Sequence, residues 1–219
     1  METPPPVPSP WEPLRRLSRW PLVLLMAFLS FLAFGLFMLA LEVLRHSRED
    51  RAGAAIMLAF IAVGLLGIRK LYRFERGLAR LQAEPSSEAL ADFIRKAWTT
   101  RAQQGLSPEE GWLDARPRLR LVAIAGITFF LGLAAAYFYS AATEYLRHYY
   151  DRPWRAPLAM GAFTLFGAGV FFQLFRCASK LSPENLRLAE AMEHYRCFHN
   201  YGFIFAFGIA WAFFCSILM

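Results

Sequence analysis

Five stretches of this chain, 20–41, 52–68, 121–143, 156–175 and 201–219, contain no Asp, Glu, Lys, Arg or His. Ion paths, proton relays and gating charges are normally built from ionisable groups inside such stretches. Their absence argues against a proton-coupled transporter or a charge-lined channel, and leaves open a pore lined by backbone or hydroxyl groups. Charge is scarce overall, at 19% of residues against about 25% in a soluble domain. Cysteine is scarce too. Cys177, Cys197 and Cys215 make no disulfide framework. There is no Gly-rich phosphate loop, no Gly-x-Ser-x-Gly elbow and no Ser/His/Asp arrangement. The reading is therefore of a non-enzyme.

What is present is apolar length. The first stretch has 22 residues and the shortest, 52–68, has 17. About 20 residues cross a bilayer as a helix, and Arg51 and Arg69 can snorkel at the ends of the short one. Stretch 20–41 is longer than the roughly 7–15 residues of a signal-peptide core, and no small-residue cleavage site follows, so it reads as an uncleaved span. Strands are excluded because the stretches do not alternate and only closed barrels avoid unpaired backbone in lipid. The expected fold is all-α: a polytopic integral membrane helical bundle of five spans.

The net charge is +7, and the basic residues flank the apolar stretches. This points to a lipid bilayer rather than nucleic acid. With the N-terminus inside, 18 of the 24 Lys and Arg fall in cytoplasmic segments and six outside. That asymmetry predicts a cytoplasmic N-terminus and an outer C-terminus. The expected location is the plasma membrane, of the bacterial inner-membrane type.

The chain repeats itself. Shifted by 102 residues, Arg16-Leu17 lies on Arg118-Leu119, Phe28-Leu29 on Phe130-Leu131, and Glu42, Leu44, Arg45 and His46 on Glu144, Leu146, Arg147 and His148. One inserted residue later, Gly64 meets Gly167 and Leu71 meets Leu174. Each unit holds two spans, so the copies are parallel hairpins related by an axis along the membrane normal. The predicted organisation is a Pro-rich tail (1–19), hairpin one (20–76), a cytoplasmic connection (77–119), hairpin two (120–180), and a helix start plus fifth span (181–219). Ser9-Pro10, Ser107-Pro108 and Ser182-Pro183, each with a nearby Glu, read as helix starts.

Four residue sets carry candidate roles. Glu42/His46 and Glu144/His148 are i,i+4 pairs at equivalent outer helix ends. Together they offer ligands for a metal, or a bis-His haem. Their spacing matches neither Glu-x-x-His nor His-Glu-x-x-His, and Arg and His also complement a helix C-terminus. Helix-end anchors are the preferred reading, with no cofactor. Cys177, His194, Cys197 and His199 lack the close Cys pair of structural zinc. Thr128, Gly132, Ala136 and Ser140 recur every four residues, a small-residue face that lets helices approach closely. They predict a span-three surface buried against helix. In 87–101, Leu90, Phe93, Ile94 and Trp98 at helical spacing, with Arg95 and Lys96 among them, predict a helix lying on the inner leaflet.

Three functions follow. The first is a non-catalytic accessory or scaffold subunit packing against partner spans or against itself. The second is a metal- or haem-binding redox protein using the outer Glu/His pairs. The third is a small-solute channel or transporter.

Overall fold

The computed structural model describes residues 10–46, 51–84, 86–98, 107–147, 154–185 and 187–218. Every regular element among them is helical: α1 (Glu12–Arg15), α2 (Trp20–His46), α3 (Arg51–Ala83), α4 (Ser87–Trp98), α5 (Pro108–Arg147), α6 (Arg155–Lys180) and α7 (Leu188–Leu218), with one 3-10 turn at Pro183–Asn185. Four of these, α2, α3, α5 and α6, are long and apolar enough to cross a membrane. The 31-residue α7 contains nearly all of the fifth uncharged stretch.

Exposure runs opposite to that of a soluble protein. On α5 the buried residues include Ala123, Ala134 and Ala141, while Leu121, Phe129 and Leu146 are exposed. On α3, Phe60, Val63 and Leu66 all face outward. In water such an apolar exterior would be a severe liability. In lipid, large residues gain nothing by burial, and small residues let backbones approach. The four long helices and this inverted pattern make a multi-pass membrane protein.

The chain forms two compact bodies. One comprises 1–17 and 98–205, the other 18–97 and 206–219. In the first, α5 packs along α6 by glycine notches. A Cβ at Gly126 would overlap the Phe171 ring, and one at Gly161 would come within 2.8 Å of Phe138. Helix α7 joins them similarly, with the Phe205 ring set against Gly167. Phe130 stacks with Phe171 and meets Phe205 edge-on, with centroids 5.7 Å and 5.0 Å away. Beyond the apolar stretches the same helices continue as a second core. Leu14 of α1 joins it, and Leu14, Trp112, Leu119, Cys177, Leu181 and Met192 are all fully buried. Trp112 meets Tyr195 edge-on at 5.0 Å. The segment after the N-terminal prolines thus differs from the tail the sequence suggested: α1 inserts Leu14 into protein, and Leu17 is buried as well.

In the second body α2 and α3 form a hairpin. Arg19, at the start of α2, is paired with Glu75 on the part of α3 beyond its apolar stretch. Phe28 meets Phe207 and Trp211 of α7 at 5.6 Å and 5.9 Å. Helix α4, capped by Ser86 Oγ on the Ala89 N–H, turns Leu90, Phe93 and Ile94 into the protein. Phe93 lies 5.3 Å from Phe74 of α3.

Of the three Ser-Pro steps, Ser107-Pro108 starts a long helix. Ser107 and Glu110 exchange hydrogen bonds in a capping box, which satisfies two otherwise orphaned backbone donors. Ser182-Pro183 opens only the 3-10 turn. Ser9 lies outside the described residues, and α1, which follows Pro10, has no side-chain cap.

Candidate functional site

The small-residue face of α5 is not where the chain packs on itself. Thr128, Gly132 and Ala136 are exposed and Ser140 is half-buried. A Cβ at Gly132 would meet nothing within 4 Å. The expectation that this face is buried against a helix of the same chain is corrected. The physical reason is that Ala123, Ala134 and Ala141 occupy the opposite side of α5 and take the contact with α6. At 100° per residue, Gly132 sits about 180° from Ala123. Three small residues on an apolar helix therefore face away from the protein, with room for another backbone to approach.

The leaflet reading of α4 is corrected at Phe93. That ring is 2% exposed, and the Phe74 ring and Gly77 of α3 cover it. The apolar stripe covers the extension of α3, whose own Leu78 and Leu81 would otherwise face water. The side chains of Arg95, Lys96 and Trp98 lie outside the described residues.

Of the Glu/His set, Glu42 is exposed and Glu144 half-buried near the ends of α2 and α5. His148 and the side chain of His46 lie outside the described residues. Among the described residues no three His, Cys, Asp or Glu gather as metal ligands. Cys177, His194, Cys197 and His199 therefore do not converge. Cys177 is fully buried between apolar helices and His199 lies edge-on to Phe203 at 4.8 Å.

A polar cluster that the sequence reading passed over lies at the junction of α6 and α7. His194 Nδ1 donates to Gln173 Oε1 at 2.9 Å. Lys180 Nζ is 2.8 Å from Glu190, and Arg196 is paired with Glu193. Burial, then the cations Arg176 and Lys180, hold the His194 pKa below its ordinary value. A neutral imidazole suits a donor to an amide oxygen. The hydrogen bond from Arg196 holds the Glu193 carboxyl low, and Arg16 adds to this. The Lys180 hydrogen bond does the same for Glu190. Gln173 was legible: it is the one Asn or Gln in the five uncharged stretches. Looking only for ionisable residues missed it. Here the amide ties α6 to α7, and such interhelical bonds are worth about 0.6 kcal/mol in a membrane protein.

What the molecule offers outward is a helix surface, the Thr128/Gly132/Ala136 face of α5. Compared with protein families, curated proteins and solved structures, the chain matches none.

Proposed function

We propose that this chain is a non-catalytic accessory or scaffold subunit of the plasma membrane, of the bacterial inner-membrane type. In this reading it has five spans, built as two parallel hairpins and a fifth helix, with the N-terminus inside and the C-terminus outside. It packs through α5 against transmembrane helices of a partner protein or of a second copy. The observation that carries the reading is the outward Gly132: a small-residue face on a long apolar helix that no other part of the described chain covers. Lipid tails fill a smooth bulky face as well as a notched one. A notch gains most where a backbone enters it.

The duplication is supported by Phe28 and Phe130, which are equivalent under the 102-residue shift. Each meets aromatic rings of α7 in its own body. The redox alternative depends on the Glu42/His46 and Glu144/His148 pairs, of which His148 and the side chain of His46 lie outside the described residues.

The test uses a photo-reactive side chain at position 136 in native membranes. The expected result is a protein adduct that Gly132→Leu removes. The unfolding free energy of the purified protein should stay within about 0.5 kcal/mol of wild type, because a Cβ at Gly132 meets nothing among the described residues. Lipid-only adducts, or an adduct indifferent to Gly132→Leu, would overturn the reading.

A further inference from the structure

Helix α3 continues beyond its apolar stretch and carries Arg69, Arg73, Arg76 and Arg80, all exposed. Their spacing of four, three and four residues confines them to an arc of about 60° and a length of about 16 Å. The side of this extension opposite the stripe is occupied. Glu75, facing away from the stripe, is paired with Arg19. Phe74 is covered by Phe93, and Leu78 and Leu81 are buried. Among the described residues no carboxylate is paired with any of the four arginines. Like charges three and four residues apart destabilise a helix. The fold nevertheless lines up three such neighbouring pairs on one bare face.

From this stripe we infer a docking surface for an acidic α-helix of a partner protein, with carboxylates at i, i+4, i+7 and i+11. Two arguments select this occupant. The first is height. Ile68 ends the apolar stretch, so Arg80 lies about 18 Å further along the axis. The headgroup layer is only about 5–7 Å deep. A lipid surface reaches Arg69 and Arg73. A rod lying along α3 reaches all four. The second is period. A helix laid beside α3 repeats its face at the same rise, so four carboxylates meet four guanidinium groups in register. An extended peptide repeats one face about every 6.6–6.8 Å and drifts out of step. Guanidinium forks pair with carboxylates by two parallel hydrogen bonds. The proposal rests on the subunit reading in requiring a protein partner, and it names the chemistry by which that partner is recognised.

The experiment uses the full-length protein in nanodiscs of zwitterionic lipid. The probe is a fluorescent synthetic helical peptide with glutamates at i, i+4, i+7 and i+11 on an alanine and glutamine background, read by anisotropy. Saturable binding is expected. It should weaken at least tenfold in the double variant Arg73→Gln/Arg76→Gln, and at least tenfold for a peptide of the same composition with its glutamates spread around the helix. Lysine at both positions should restore part of the affinity. Equal binding of the two peptides would mean diffuse electrostatics and would overturn the proposal, as would binding indifferent to the double variant. Repeating the titration in phosphatidylglycerol nanodiscs should leave the register preference intact. Complete loss of peptide binding there would assign the stripe to the lipid surface instead. The position-136 adduct separates the two readings. If the adduct persists while the peptide fails, only the docking surface is lost. If the adduct fails while the peptide binds, only the lateral packing of α5 is lost.

Discussion

Glycine at 126 and glycine at 132 look alike in the sequence, six residues apart on one apolar helix, yet they do opposite things. Gly126 receives the Phe171 ring from α6, close to the ring's base, where the side chain has little freedom to yield. Gly132 meets nothing. A search for small residues every fourth place selects the second because its neighbours Thr128, Ala136 and Ser140 are small. It passes over the first because the packed face, Ala123 to Ala141, is interrupted by Phe130. The chain packs large into small, and spacing alone does not say which large residue arrives. The same contrast exists across the repeat. Gly167 holds the far edge of the Phe205 ring, whereas its counterpart Gly64 is open. Gly126→Ala should therefore destabilise by about 1–3 kcal/mol through overpacking. Gly167→Ala should cost less, since a ring edge can shift. Gly64→Ala should be neutral or stabilising, by up to about 1 kcal/mol of helix propensity. Thermal unfolding in one detergent checks the order, and equal effects at 64 and 126 would refute it.

At the scale of the element, helix positions were largely legible and helix partners were not. The uncharged stretches located α2, α3, α5 and α6, because apolar length in lipid leaves the backbone no alternative to intrahelical bonding. The extensions past the apolar stretches were less visible. Nothing in a hydropathy pattern says that α3 runs on to Ala83 or that α5 begins at Pro108. Helix α4 shows the limit most clearly. Its stripe of Leu90, Phe93 and Ile94 is an apolar face in the sequence, but such a face fits a leaflet and a protein surface equally well. The deciding fact, an apolar strip on the extension of α3 at Phe74, Leu78 and Leu81, depends on that extension existing. Phe93→Ala should remove about 3 kcal/mol from the seating of α4. Its amides should then exchange roughly a hundredfold faster while those of α3 within the apolar stretch do not change. Unchanged exchange in detergent would show that α4 is held by something other than α3.

For the whole molecule, the proposed sidedness rests on charge, and the internal contacts are compatible with the grouping that charge implies. Arg19 at the start of α2 is paired with Glu75 beyond the end of the α3 stretch. In the other body Arg16 contributes to the field at Glu193, near the start of α7, and Lys180 at the end of α6 pairs with Glu190. Within each body, then, segments assigned to the same side meet one another. Those segments hold 18 of the 24 Lys and Arg, and the proposed cytoplasmic placement rests on that asymmetry. Reporter fusions after residues 48, 100 and 152 and at the C-terminus should read outside, inside, outside and outside. The last is the most informative, because α7 starts in a segment assigned to the basic side and carries no Asp, Glu, Lys, Arg or His after His199. An uncharged helix of that length has no stable place on the cytoplasmic side except against protein. A cytoplasmic C-terminal reporter would therefore mean that α7 turns back within the membrane or lies along it, and the fifth span would be lost while the other four stand.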